Sequence, residues 1–140
     1  RNSVGIHVRR GDMTLTGHYW KILTPHYYQT CMKYFAESDF FIFSDDIDWA
    51  RKNIAEVNPD FHCTIVDIND SASGYLDLVL LSHCKNYICS SGSLGKFASY
   101  YGNYDEGKII VPVLSLDDEV IVGKRQVVKI KLTDILCDNF

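Results

Sequence analysis

The chain has 140 residues, of which 46% are apolar and 13% aromatic, enough for one domain with a real core and too much for a disordered or fibrous chain. A formal net charge of -4 argues against a nucleic-acid binder working by general phosphate attraction, so any phosphate recognition must be local. No apolar run approaches the roughly 18 residues that span a bilayer, and the chain opens on Arg1 and a strand-like run without a signal peptide. A soluble protein is expected, and so abrupt a start suggests that upstream sequence precedes the first strand.

Extended apolar runs alternate with helical segments, the pattern of a parallel α/β sheet. Residues 4–8 form a first strand that runs into Arg9-Arg10-Gly11-Asp12. After a polar loop, Thr24-Pro25 supplies an N-cap and a first-turn proline, and Tyr28, Cys31, Met32 and Phe35 give the apolar face of a helix to residue 36. Residues 40–43 are all apolar and predict a short buried strand. Ser44-Asp45-Asp46 then offers caps and first-turn acids for a helix through residue 56, which Asn58-Pro59 ends. Residues 63–66 read as a third strand, 74–85 as a buried helix, and 87–89 as a fourth strand closed by Ser90-Ser91-Gly92-Ser93. An amphipathic helix over 93–101 and a fifth strand over 109–111 follow, and residues 120–132 alternate enough to suggest a terminal hairpin around Gly123-Lys124. The expected architecture is α/β, a Rossmann-like, mostly parallel sheet with flanking helices over residues 1–113. Residues 114–140 would be a C-terminal extension, a hairpin packed on the same domain.

Three places need chemistry beyond packing. His7-Val8-Arg9-Arg10-Gly11-Asp12 puts two guanidinium groups where a strand ends, which is where open α/β sheets bind ligands. Arginine matches phosphate oxygens with a planar, permanently charged fork, and Gly11 lets the backbone turn sharply and approach a ligand. The plainer readings are a surface arginine pair with Asp12 as ion partner, or an Arg-Gly-Asp adhesion tripeptide, which would need an exposed loop tip rather than a place directly after an apolar strand. Asp77 sits inside Leu76-Asp77-Leu78-Val79-Leu80-Leu81, so its carboxylate must reach the helix surface or find strong donors. A guanine edge, with ring N–H and exocyclic amine side by side, supplies such donors bidentately. Ser90-Ser91-Gly92-Ser93, between a strand and a helix, offers hydroxyls and amides to a phosphate or serves as an ordinary helix start.

Other patterns carry less. Cys31, Cys63, Cys84, Cys89 and Cys137 are odd in number, without a C-x-x-C pair, and the five histidines lack ligand spacing, so neither zinc nor a disulfide framework is indicated and a reducing compartment is the simplest setting. Asn69-Asp70-Ser71 matches a glycosylation sequon too short to decide anything. Asp46-Ile47-Asp48 matches the D-x-D pattern that holds a divalent cation, yet both acids fall in the first turn of a predicted helix, where the macrodipole favours them. No metal is expected. A receiver-type signalling domain phosphorylated at Asp45 or Asp46 is a rival reading; it would want a lysine directly after the fifth strand, where Pro112-Val113 stands, and it leaves Arg9-Arg10 unexplained.

Three ordered blocks carry a resemblance: His7-x-Arg9-Arg10-Gly11-Asp12, Phe41-Ile42-Phe43-Ser44-Asp45-Asp46, and the stretch from Leu76-Asp77 to Ser93. Together they resemble the donor-binding half of the fucosyltransferases, most closely the α-1,2-fucosyltransferases of glycosyltransferase family 11, over most of the chain. The resemblance implies the C-terminal lobe of a two-lobed glycosyltransferase of the B type, with the N-terminal lobe missing from this chain. It further implies transfer of L-fucose from GDP-fucose, with inversion, to a terminal galactose hydroxyl of a glycan, with no cofactor beyond the donor and no metal. By the same resemblance Arg9 neutralises the departing diphosphate as the catalytic residue, His7 contacts guanine or ribose, Asp77 reads the guanine edge, and Ser91 and Ser93 hold phosphate. Arg10 joins the donor site, orienting the loop together with Gly11 and Asp12. The partners expected are GDP-fucose and a galactose-containing acceptor, without nucleic acid, in a cytoplasmic, bacterial-type enzyme whose full-length form associates peripherally with a membrane. The chain departs from the family at Gly92-Ser93-Leu94-Gly95-Lys96-Phe97, where members usually carry a Ser-Phe-Ser-Trp-Trp-Gly type sequence. That departure keeps a non-catalytic nucleotide-sugar-binding domain as a further alternative, and the chain alone is expected to bind nucleotide weakly without turnover.

Overall fold

A computed structural model of the chain describes residues 2–8, 24–35, 37–67, 79–90, 106–113, 115–117, 119–120 and 126–131. The first strand, β1 (Asn2–Val8), alternates its side chains across the sheet. Val4, Ile6 and Val8 are fully buried on one face, leaving Ser3, Gly5 and His7 for the other. Helix α1 (Pro25–Met32) starts at Thr24 with proline in its first turn and buries Tyr27, Tyr28, Cys31 and Met32. Strand β2 (Ser38–Ser44) follows through Glu37, a non-glycine residue at φ 54°. Asp46 caps α2 (Ile47–Ala50), its carboxylate accepting from the Trp49 N–H at 3.2 Å, and the helix widens into a π turn over Arg51–Ala55. Asn58 closes that turn through its side-chain amide on the Ile54 carbonyl at 2.6 Å. Strands β3 (His62–Ile65), β4 (Asn86–Ile88), β5 (Lys108–Val113) and β6 (Gln126–Lys131) complete the sheet, with a helical turn at 79–82 before β4.

The six described strands form one all-parallel sheet in the order β3-β2-β1-β4-β5-β6. Its two faces carry two apolar clusters. On one, Val4, Ile6, Val8, Phe40, Ile42, Ile88 and Ile110 pack against α1 and Ile54. On the other, Phe43, Tyr87, Cys89, Ile109, Val111 and Val113 pack with Leu81 and Cys84. A parallel sheet covered on both sides explains why the inner strands read as continuous apolar runs rather than alternating ones.

Several sequence expectations are corrected. Residues 126–131, expected within a terminal hairpin, run parallel to β5, with Ile109 opposite Val127 and Val111 opposite Lys129, and so extend the main sheet by a sixth strand. Alternation records a strand with unlike faces but not the direction of its neighbour. Gly123 and Lys124 lie outside the described residues. Helix α1 ends at Met32, with turns after it, rather than at residue 36. The segment read as a buried helix over 74–85 is helical at 79–82, buries Leu81 and leaves Val79 and Leu80 exposed. Residues 74–78 and the helix expected over 93–101 lie outside the described residues.

Candidate functional site

The strand order turns at β1. Strands β2 and β3 lie to one side of it and β4, β5 and β6 to the other, so the connection after β1 and the connection after β4 leave the sheet in opposite senses at neighbouring carboxyl ends. This is a topological switch point, the place where doubly wound sheets open a crevice for ligands. Val8, at the end of β1, is followed in sequence by Arg9-Arg10-Gly11-Asp12, and β4 by Cys89, Ser90 and then Ser91-Gly92-Ser93. The two motifs singled out in the sequence, some 80 residues apart in the chain, thus follow directly on two strands that are neighbours in the sheet, and they themselves lie outside the described residues.

Four hydrogen bonds hold that edge. The Ser44 hydroxyl donates to the Val8 carbonyl at 2.9 Å and accepts from the Asp46 N–H at 2.9 Å. One side chain thus fixes the last peptide before Arg9 to the start of α2. The Tyr27 hydroxyl donates to the Cys89 carbonyl at 2.6 Å, fixing the first turn of α1 to the end of β4. Cys89 N–H in turn donates to the Ile110 carbonyl at 2.9 Å, so pairing with β5 continues one residue past β4. Burial holds the Tyr27 phenol well above its ordinary ionisation range, with the neighbouring Cys31 and Cys89 thiols adding to the effect, so it stays a neutral donor.

Of the sequence candidates, His7 is described: it stands on β1 opposite Phe43 of β2, half-buried, on the sheet face shared with Gly5. Arg9, Arg10, Gly11, Asp12, Asp77, Ser91 and Ser93 lie outside the described residues. Asp46 is engaged as the α2 cap, and Asp48, exposed, pairs with Arg51 at 3.5 Å. Ser44 and Tyr27 escaped sequence reasoning as edge-fixing residues. Ser44 read as a cap, and its bond to Val8 depends on the β1–β2 register, which places Val8 beside Ser44. Tyr27 is not among the residues named for the apolar face of the helix; the signal available was a phenol at a position facing the sheet, which needs a buried acceptor.

The family model of Glycosyl transferase family 11 matches residues 1–133. The chain belongs to that family. Relatives of this family member include an alpha-1,2-colitosyltransferase of Escherichia coli, 32% identical over 118 residues, a match that covers 79% of this chain and 40% of the relative. A galactoside alpha-(1,2)-fucosyltransferase 1 of Aotus azarae is 30% identical over 112 residues, covering 75% of this chain and 30% of the relative. The chain thus spans well under half the length of these curated relatives. Among solved structures, an alpha-1,6-fucosyltransferase, NodZ, soaked with GDP-fucose matches over 72% of this chain and 36% of its own, at 19% identity and a TM-score of 0.44. Among the described residues no helix is long and apolar enough to cross a membrane, and Cys31, Cys63, Cys84 and Cys89 are free thiols.

Proposed function

We propose that this chain is the donor-binding lobe of an inverting fucosyltransferase that takes L-fucose from GDP-fucose to a galactose hydroxyl in α-1,2 linkage. The observation that carries the reading is the switch point between β1 and β4, two neighbouring strands after which Arg9-Arg10 and Ser91-Gly92-Ser93 follow in sequence. Family membership and the α-1,2 names of both relatives support the reaction class and the linkage.

In the proposed mechanism the acceptor hydroxyl displaces the diphosphate at the anomeric carbon, and negative charge grows on the leaving oxygens. Arg9 meets that charge, an interaction stronger in the transition state than in the ground state, which is what lowers a barrier. Ser91 and Ser93 hold the diphosphate, Asp77 accepts from the guanine edge, His7 contacts guanine or ribose, and Arg10, Gly11 and Asp12 set the loop. Metal independence belongs to the same proposal. The arginines supply the positive charge, and engagement of Asp46 with the Trp49 N–H supports a capping rather than a ligating role for the D-x-D pair. A reducing, cytoplasmic setting belongs to the same proposal, supported by the free thiols of Cys31, Cys63, Cys84 and Cys89 among the described residues.

The relative named for colitosyl transfer favours a second reading of the donor, colitose in place of fucose on the same nucleotide. The receiver-type alternative loses support from the strand order, because receiver-like sheets run 2-1-3-4-5 whereas this one runs 3-2-1-4-5-6. Calorimetric titration with GDP, ADP and UDP, on the protein and on Arg9→Ala and Asp77→Asn, tests the reading. GDP-selective binding weakened in both variants is expected. Binding that ignores the base would remove Asp77 as guanine reader, and absence of GDP binding by the intact, full-length protein would overturn the donor-lobe reading. Measuring sugar transfer by that protein from each sugar nucleotide separates fucose from colitose, and GDP binding without any transfer would mark the non-catalytic alternative.

A further inference from the structure

We propose that the amino edge of the sheet carries a glycan-binding pocket, remote from the β1/β4 crevice, that holds a sugar of the acceptor chain away from the hydroxyl that reacts; naming the acceptor rests on the transferase reading above. A cavity of about 300 Å³ opens there, at the starts of β1, β2, β4, β5 and β6 and beside Tyr34 and Phe35, which follow α1. In an all-parallel sheet every strand starts at one edge, so this cavity and the switch point lie at opposite ends of the same strands. The seven residues of β1 put roughly 23 Å between them. A disaccharide reacting at the carboxyl edge therefore does not reach the cavity, whereas a long glycan does.

The floor of the cavity is fixed by hydrogen bonds. Asn86 is 5% exposed; its side-chain amide donates to the Ser3 carbonyl at 3.3 Å and its Oδ1 accepts from the Lys108 N–H at 2.8 Å, tying the starts of β1, β4 and β5 together. Gly107 stands at φ 123°, where a Cβ would run into the Lys85 carbonyl, so β5 begins tightly against the residue before β4. Around this floor stand polar groups that the fold does not use. Among the described residues, the Tyr34 hydroxyl, the side-chain amides of Asn2 and Gln126 and the Lys108 ammonium have no side-chain partner. Lys85 and Glu106 pair at 3.8 Å with the glutamate 84% exposed, a loose surface contact that a ligand replaces at little cost. This set selects a ligand class. Amides donate and accept, ammonium donates and carboxylate accepts, which matches adjacent hydroxyls that each do both. Tyr34, 48% exposed, adds aromatic area for the apolar face of a sugar ring. A phosphate is better served by arginine forks, and Glu106 beside the lysines opposes an anion. An apolar ligand would leave the amides and charges unpaired. The volume, at the small end for ligand pockets, holds about one or two sugar residues.

The test is titration of the intact, full-length protein with lactose and with a galactose-terminated oligosaccharide of about ten sugars, long enough to span the two ends of the sheet, with transfer to lactose measured in parallel. The wild type is expected to bind the long glycan at least about tenfold more tightly than lactose, because the second contact is made within one ligand. Tyr34→Ala and Gln126→Ala, at exposed positions, should each weaken the long glycan about fivefold and together remove its advantage, as loss of one of two linked contacts does. Lactose binding, transfer to lactose and melting temperature should stay unchanged in both, and Tyr34→Trp, which keeps an aromatic ring, should retain the long-glycan affinity. A wild type that binds the two glycans alike overturns the proposal, as do variants that keep the full advantage of the long glycan. An equal loss for lactose or a lowered melting temperature marks a structural role and overturns it as well. Preferential binding of the long glycan, lost in the variants, by a wild type that transfers no sugar overturns the transferase reading instead and leaves the pocket standing.

Discussion

At the scale of single residues, the α1 side of the sheet combines full burial with ionisable groups. Burial is the main cause that pushes the Cys31 thiol from 9.0 up to about 12, against a partly offsetting hydrogen bond with Tyr27, and it raises the Tyr27 phenol as well. A group that stays protonated in the folded chain but ionises in the unfolded one makes stability fall as pH rises. The folded state should therefore lose little below pH 9 and weaken between pH 9 and about 12 as the unfolded chain releases the Cys31 proton, by about 1.4 kcal/mol per pH unit for each such group. Urea midpoints across this range check it, and Cys31→Val should flatten the dependence; an unaltered slope would remove Cys31 as its source. At this scale the sequence marks Arg9, Arg10, Asp77, Ser91 and Ser93 by residue type alone. It does not mark Ser44, whose role comes from lying beside Val8 in register.

At the scale of elements, β1 is shaped by what crosses it. A side chain at Gly5 would run into Leu81, which is fully buried, and press on Cys84 at 3.2 Å. The missing Cβ lets the segment around the 79–82 turn settle onto β1. Gly5→Val is expected to destabilise the fold by about 1–3 kcal/mol through overpacking, read as a fall in denaturation midpoint. A midpoint within experimental error of the wild type would mean that Leu81 and Cys84 can move aside. The sequence places strands 1 to 5, the N-terminus of α1 and the Asp46 cap close to where they stand, because apolar runs, proline and short acids act locally. It misses the π turn at Arg51–Ala55 and the direction of β6, which depends on the strand it pairs with.

At the scale of the whole molecule, the 3-2-1-4-5-6 order makes neighbours of β1 and β4, the two strands that precede the arginine and serine motifs in sequence. If the crevice holds the donor diphosphate, Arg9→Ala in the intact enzyme should cost about 2–4 kcal/mol of transition-state stabilisation, with sugar transfer measured at saturating donor. Activity surviving within about threefold would refute the leaving-group role. Excess EDTA should leave transfer unchanged, whereas loss restored by manganese would assign a cation to the D-x-D acids despite the cap at Asp46.

By itself the sequence determined the fold class, the order of strands and helices along the chain, and the residue types able to grip a phosphate, because periodicity, caps and charge are properties of short stretches. Only the tertiary structure decided that all six described strands run parallel, that β1 and β4 are neighbours, and that Ser44 and Tyr27 fix the ends of these two strands. Pairing joins residues 82 positions apart, as with Lys85 and Ser3, and no local pattern encodes which distant strand will supply the partner.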